Sequence, residues 1–122
     1  MQIDFNKKIE KVFTDLENIT KSRNLLQRKV GKDQADIVRV RLKQLRGAVN
    51  FQEYLDLHIG NPHGLTGDMM GFFAVDLNAH ARLIIKPDSI DLSAEALRSC
   101  NKVEIVGIIE EYHGGKYEWC KL

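Results

Sequence analysis

Residues 72–86, FFAVDLNAHARLIIK, decide the fold because apolar side chains recur with a period of two on either side of a short polar break. Three alternate positions of the first half share one face: Phe73, Val75 and Leu77. In the second half Arg82, Ile84 and Lys86 share a face, and Asn78-Ala79 between the halves is a predicted tight turn. The stretch therefore predicts a β-hairpin.

The residues before the hairpin predict a short strand followed by helices. QIDF at residues 2–5 is the predicted strand, and Asn6 is a predicted helix cap. Apolar residues at helical spacing predict two helices joined at Gly31. The stripe of the first is Ile9, Val12, Leu16, Ile19, Leu26 and Val30, and that of the second is Ala35, Val38, Leu42, Leu45 and Val49. Asn50 and Glu53 form a capping-box pattern for a short third helix.

The residues after the hairpin predict further strands. Pro87 ends the hairpin, and Ser93 caps a short predicted helix. VEIVGIIEEYH at residues 103–113 is the strongest strand signal in the chain, and its Gly107 predicts a bulge or a close backbone approach. KYEWC at residues 116–120 predicts a short edge strand.

This order of elements predicts an α+β fold. We expect an N-terminal strand and an αα-hairpin packed on one face of a mostly antiparallel sheet of about four to five strands. The other face is expected to be free to present side chains. The 122 residues, 43% hydrophobic and 29% charged, fit one globular domain. No secretory signal or membrane span is recognisable, and the two cysteines are expected to be reduced thiols in a cytoplasmic protein.

Charge is unevenly distributed along the chain. Residues 21–46 contain nine basic and two acidic residues, so this segment carries +7, whereas the rest of the chain carries −6. Such asymmetry favours a polyanionic partner or an acidic protein partner for the basic segment. A solvated helical face is the alternative interpretation.

Polar residues stand where the predicted strands begin or end. His63 lies in a glycine-rich loop before the hairpin, Arg82 opens its second strand, and Glu111, Tyr112 and His113 close the last strand. If these strands are neighbours, the side chains converge on the uncovered face. Each also has a purely structural interpretation, such as a surface ion pair or an ordinary loop histidine. Neither HExxH, a cysteine pair nor GxSxG is present, so metal binding and serine or cysteine hydrolysis are not favoured.

HGLTGDMMGFFAVDLNAHARLIIKP at residues 63–87, followed by EIVGIIEEYH at residues 104–113, resembles the RelE/ParE toxin superfamily, most closely its HigB-like "killer protein" branch. The matching positions are His63, Leu65, Gly67, Asp68, Gly71, Phe73, Arg82, Leu83, Tyr112 and His113. The resemblance covers roughly residues 1–113. It implies a single RelE/HigB-like toxin domain over residues 1–122, with residues 114–122 as a C-terminal extension outside the family pattern.

The resemblance implies the toxin of a type II toxin–antitoxin system, a ribosome-dependent mRNA endoribonuclease (mRNA interferase) held by a cognate antitoxin in a hetero-oligomer. RNA is then cut without metal or cofactor, by attack of its own 2′-OH on the adjacent phosphate. By the same resemblance His63 and His113 are expected to transfer protons or contact the phosphate, and Arg82 to stabilise charge. Tyr112 is expected to position the nucleotide and Glu111 to orient its neighbours.

Two positions depart from the family pattern. A family lysine is Thr66 here, which removes a cation, and a family aspartate is Glu111. Lys86, on the face of Arg82, is a possible substitute cation for substrate binding. The basic segment, including Arg39, Lys43 and Arg46, is expected to bind ribosomal RNA.

The predicted loop before the hairpin is rich in glycine, with Gly64, Gly67 and Gly71 spaced along it. One interpretation is that they bring the backbone close to a phosphate chain; the other is a turn that needs positive φ. Two other functions remain open: a ParE-like non-enzymatic toxin that binds DNA gyrase, and a non-toxic RNA-binding module with a decayed site.

Overall fold

The computed structural model describes residues 1–14, 25–111 and 115–122. The strands are β1 (Gln2–Phe5), β2 (His63–Gly64), β3 (Phe73–Asn78), β4 (Ala81–Pro87), β5 (Lys102–Glu111) and β6 (Tyr117–Trp119). The helices are α1 (Glu10–Thr14), α2 (Leu25–Val30), α3 (Lys32–Gly47), α4 (Phe51–Asp56) and α5 (Ala94–Arg98), with a 3-10 turn at Gly67–Met69. Among these described residues, no helix is long and apolar enough to cross a bilayer.

The described strands form one sheet in the order β1-β5-β4-β3-β2, with β6 also paired to β5. Only β1 and β5 are parallel among the described pairs, so the mostly antiparallel α+β fold predicted from the sequence is confirmed. The described residues give six strands rather than four or five. The additional strand is β2, whose two residues lie in the predicted loop, whereas the three residues of β6 lie within the edge strand predicted at residues 116–120.

The predicted hairpin is present as β3 and β4, but its turn is displaced by one residue. The turn is Ala79–His80 rather than Asn78–Ala79, because Asn78 still pairs with Ala81 after a register shift. The Asn78 side-chain oxygen accepts a hydrogen bond from the His80 backbone N–H at 2.8 Å, which closes an Asx-type turn.

Asn50 and Ser93 cap helices as predicted, whereas α1 begins four residues after Asn6, whose side chain accepts from the Lys8 N–H at 3.0 Å. Asn50 accepts a hydrogen bond from the Glu53 N–H at 2.8 Å and caps α4. Ser93 caps α5 through the Ala96 N–H at 3.2 Å. Val49 was predicted to be buried and is 70% exposed, because α3 ends at Gly47 and the next residue is extended.

The hydrophobic core lies between the helices and one face of the sheet. The α3 stripe residues Ala35, Val38, Leu42 and Leu45 are buried there together with Phe73, Val75, Leu83, Ile85 and Ile105 of the strands. Phe51 of α4 packs edge-on against Phe73 with ring centroids 4.9 Å apart, which joins the helical layer to β3. Ile9, Val12 and Leu26 of the first predicted stripe are buried and Val30 is half-buried, whereas Leu16 and Ile19 lie outside the described residues.

The opposite face of the sheet, here called the open face, is less free than predicted. β6 folds back along β5, and a Cβ on Gly107 would lie 3.0 Å from the Trp119 ring. The register of β4 and β5 shifts immediately before Gly107, so its predicted roles in a bulge and a close approach are both confirmed. Ile84, the partner of Gly107, is fully buried. β6 therefore covers part of the face that was predicted from the sequence to be free.

Gly60 joins a helix, a loop and the sheet at one point. Its φ is +75°, and a Cβ there would lie 2.8 Å from both Arg41 Nε and Val75 Cγ1. The Gly60 carbonyl accepts a hydrogen bond from the Asp76 N–H at 2.6 Å, and the Asp76 carbonyl accepts one from Arg41 Nε at 2.9 Å. Arg41 therefore points from the basic helix to the sheet rather than to an external partner.

We expect Gly60→Ala to destabilise the fold by about 1–3 kcal/mol more than Gly67→Ala, as measured by urea unfolding. Both positions have positive φ, so each alanine pays about 1–2 kcal/mol of backbone strain. Only Gly60 adds a clash, because nothing lies within 4 Å of a Cβ at Gly67. Equal losses in the two variants would show that the contact with Arg41 and Val75 relaxes without cost.

Candidate functional site

A polar cluster lies where β5 ends beside the β3–β4 turn. His80 Nδ1 and Glu111 Oε2 are 2.9 Å apart, and the Glu111 backbone N–H donates to the His80 carbonyl at 2.7 Å. An ionised carboxylate only accepts hydrogen bonds, so Nδ1 carries a proton, and when the His80 ring is neutral its Nε2 has the lone pair. Glu111 therefore fixes a tautomer in which an exposed imidazole nitrogen can accept a proton.

Glu111 is held in its ionised form by its surroundings. The hydrogen bond from His80 lowers the pKa of Glu111 below its ordinary value, against a smaller opposing effect of burial. The charge of His80, the Gly115 N–H and the Arg82 guanidinium lower it further. Glu111 was predicted to orient its neighbours, and the residue that it contacts is His80. The sequence pattern did not single out His80.

Arg82 is tied to three parts of the open face. Its Nε lies 2.7 Å from Asp76 Oδ1, its Nη1 donates to the carbonyls of Asn78 and Ala81 at 3.1 Å, and its guanidinium carbon is 5.4 Å from the centre of the Tyr117 ring. The Asp76 oxygen has no aligned hydrogen-bond donor among the described residues, so the contact is an ion pair. A phosphate approaching Arg82 therefore competes with Asp76.

The residues of the glycine-rich loop that were predicted to belong to the site lie at separate places along β2 and the 3-10 turn. His63 is exposed in β2, where it pairs with Ala74, and its Nδ1 lies 2.9 Å from the Asn61 carbonyl. Because a carbonyl accepts, the His63 Nδ1 carries a proton, and its Nε2 has the lone pair when the ring is neutral. Thr66 precedes the 3-10 turn and lines a depression with Tyr117. Gly67 and Gly71 have positive φ and open space around them, whereas Gly64 does not have positive φ.

Lys86 belongs to another part of the open face. Its Nζ is 5.6 Å from the centre of the Phe72 ring, and it lines a depression with Asp4, Lys102 and Glu104. Thr66 does not line that depression. The two positions that the sequence linked as alternative sources of a cation therefore border different depressions.

The predicted RNA-binding residues of the basic segment lie on α3, whose apolar side packs against the helical face of the sheet. Arg39 is ion-paired with Asp36 at 2.9 Å, and Lys43 and Arg46 are exposed. They are therefore on the opposite side of the sheet from Arg82. Tyr112 and His113 lie outside the described residues, which end at Glu111 and resume at Gly115.

Sequence reasoning missed His80, Asp76 and Tyr117. The signal for Asp76 was present, because it stands opposite Arg82 in a hairpin and opposite charges pair across strands. His80 and Tyr117 could not be found from their spacing, since their contacts depend on how β5 and β6 pair. No group of histidine, cysteine, aspartate or glutamate side chains suited to a metal occurs in the described part of the chain.

Comparisons with known proteins connect this architecture to bacterial toxins. A YoeB/ParE toxin from Agrobacterium tumefaciens aligns with a TM-score of 0.54 at 13% identity, over 92% of this chain and all of that one. Chains from two structures of YoeB–YefM complexes from Staphylococcus aureus align with TM-scores of 0.53 and 0.50, at 18% and 19% identity, over 93% of this chain and 98% of theirs. No family model and no curated protein sequence matches the chain.

The chain therefore has the RelE/YoeB-like α+β fold. At these identities the likeness establishes the fold, and the narrower HigB-type resemblance stays a prediction from the sequence.

We expect Glu111→Gln to destabilise the protein at neutral pH, with a loss that shrinks as the pH falls below about 4.3, the ordinary pKa of a glutamate. The pKa of Glu111 is lower in the folded than in the unfolded chain, so its contribution is complete above the ordinary value and is lost as the pH falls through the folded value. Urea unfolding at a series of pH values measures this. Glu118→Gln removes a carboxylate from the neighbouring strand and controls for net charge; a Glu111→Gln loss that does not change with pH would contradict the pairing with His80.

Proposed function

We propose that this chain is the toxin of a type II toxin–antitoxin system and cleaves messenger RNA on the translating ribosome. The observation that carries the proposal is the cluster of His80, Glu111 and Arg82 on a RelE/YoeB-like fold, at the strand end that leads directly into Tyr112 and His113. The toxin domain spans residues 1–122. Ribosomes are its place of action, so the proposal puts the protein in the cytoplasm.

The residue types suit cleavage through the 2′-OH. A base removes the 2′-OH proton, the oxygen attacks phosphorus, and the bond to the 5′-oxygen breaks as an acid protonates that oxygen. A 2′,3′-cyclic phosphate and a 5′-hydroxyl result. When their rings are neutral, His63 and His80 each have Nε2 available as an acceptor, and His113 is a third imidazole, a group that can serve as base or acid. Arg82 is assigned to the charge that develops on the phosphate.

The remaining residues of the proposed site have supporting roles. Glu111 holds His80, and Tyr112 positions the nucleotide. Thr66 and Lys86 are assigned to substrate binding from two different depressions of the open face. The outer surface of α3 is basic and suited to ribosomal RNA through Arg39, Lys43 and Arg46. The affinity of the protein for this RNA is expected to fall as the salt concentration rises.

Protein partners follow from the same proposal. The two Staphylococcus aureus structures are toxin–antitoxin complexes, and we propose that a cognate antitoxin binds and silences this chain in a hetero-oligomer. The ion pair of Arg82 with Asp76 favours one competing function, an RNA-binding module that does not cut, because the cation for the phosphate is already balanced. A ParE-like toxin that binds gyrase is the other alternative.

We expect His113→Ala to abolish RNA cleavage and growth inhibition without unfolding the protein. The test adds purified protein to a translating extract programmed with one defined message and maps RNA ends by primer extension. Wild-type protein should give discrete cuts in frame with codons, and a reaction without ribosomes should give none. The loss of His113 removes a proton-transfer group, so cuts should disappear while thermal unfolding is unchanged.

His58→Asn is the matched control, because His58 lies outside the proposed site and has a φ of +55° that asparagine tolerates. It should cut like wild type. Cutting by His113→Ala at the wild-type rate would remove His113 from the mechanism. An intact message with wild-type protein would reject the nuclease, and gyrase binding would then be measured with the same preparation.

We expect Thr66→Lys to leave the cutting rate equal or to raise it in the same extract. Thr66 occupies the position of a family lysine and borders the open face, so an ammonium there restores a cation that can contact a phosphate. Initial rates of cut formation at several protein concentrations measure the effect. A large loss would mean that the depression beside Thr66 has a different task from that of the family's lysine.

A further inference from the structure

β6 presents two aromatic rings on the open face, although strands of a folded sheet usually bury such rings. Tyr117 and Trp119 are two residues apart and therefore point to the same side of the strand. Tyr117 is 40% exposed and Trp119 is 49% exposed. Exposed aromatic rings in neighbouring positions are characteristic of binding surfaces, because their burial by a ligand releases a large apolar area.

Both rings are fixed from the side of the sheet. Trp119 pairs with Ile109 and lies over Gly107, where a Cβ would lie only 3.0 Å from the indole. Tyr117 pairs with Glu111 and contacts the guanidinium of Arg82. The rings are thus held in place before any ligand binds, which lowers the entropy cost of binding.

The Leu65–Met69 loop faces the two rings and completes a depression of about 350 Å³. The lining residues are Leu65, Thr66, Met69, Ile109, Tyr117 and Trp119. None of these described residues is charged, and the nearby charge of Arg82 is balanced by Asp76. The depression therefore suits a flat, uncharged aromatic group rather than a phosphate, and Met69 supplies a wall that adapts to its shape.

We propose that this depression binds an unstacked base of single-stranded RNA between Tyr117, Trp119 and the Leu65–Met69 loop. Proteins that bind single-stranded RNA on an open sheet commonly stack bases on aromatic side chains of its strands. The pairing of Tyr117 with Glu111 puts the depression one strand spacing from the polar cluster, so the phosphates next to a bound base reach His80 and Arg82. The proposal rests on the proposed function for its choice of RNA, and it adds a base subsite built from the C-terminal extension.

Trp119 is the only tryptophan of the chain, so its fluorescence reports on this depression alone. Wild-type protein is titrated with a short single-stranded RNA whose 2′-O-methyl riboses prevent cleavage. The comparison ligand has the same phosphates but abasic sugars. Saturable quenching by the first and no saturable change with the second is expected, because only the first can stack. Equal responses to the two ligands would overturn the proposal.

Point variants test whether the Tyr117 ring contributes to the binding of RNA. Affinity for the 2′-O-methyl RNA, measured by anisotropy of a labelled strand, should fall about fivefold or more in Tyr117→Ala and stay within about twofold in Tyr117→Phe. Val49→Ala shortens an apolar side chain that is 70% exposed and lines neither this depression nor the one beside Lys86, so it should bind like wild type. Unchanged or tighter binding by Tyr117→Ala, with unaltered thermal unfolding, would show that β6 is not a platform.

This binding assay uses neither ribosomes nor cleavage, so its outcome is independent of the mapping of RNA ends. Quenching together with an intact message would keep the base subsite and reject the nuclease. Codon-phased cuts without quenching would keep the nuclease and reject the subsite.

Discussion

The ion pair between Asp76 and Arg82 is the contact on which the open face depends. It joins β3 to β4, and both partners make further bonds that reach other elements. The backbone of Asp76 bonds to Gly60 and to Arg41, which fastens the loop and α3 to the sheet. Arg82 bonds to the hairpin turn and contacts the Tyr117 ring of β6. The loop at Gly60, the hairpin turn and Tyr117 thus all contact this one pair of residues.

The same ion pair sets the chemical character of the face. An arginine balanced by a carboxylate is a weaker site for phosphate than an unpaired one, because binding an anion must displace Asp76 or share the cation with it. The basic side chains of α3 lie across the sheet from this point. In the proposed function, α3 therefore attracts RNA by charge, whereas the open face recognises a base through Tyr117 and Trp119. The two surfaces differ in their expected response to salt, since attraction by α3 rests on neutralising phosphates, whereas the stacking of a base on aromatic rings does not.

Much of the fold was predictable because it follows from local patterns. Period-two alternation gave β3 and β4, helical spacing gave the buried side of α3, and the caps at Asn50 and Ser93 have the geometry expected of them. Errors fell at element ends, where Val49 lies past the last helical turn and the hairpin turn shifts by one residue. For the candidate site, the sequence named Arg82 and Glu111 but not the partners that orient them, Asp76 and His80.

The sequence by itself determined the class of fold and the residue types available for chemistry, because hydrophobic periodicity and capping act over a few neighbouring residues. Only the tertiary structure decided which of these residues meet. Glu111 and His80 are 31 positions apart in the chain, and Tyr117 reaches Arg82 only because β6 pairs with β5 and β4 lies on the other side of β5. Such contacts depend on strand order and register, which are set by how the whole chain buries its apolar surface and not by any one segment.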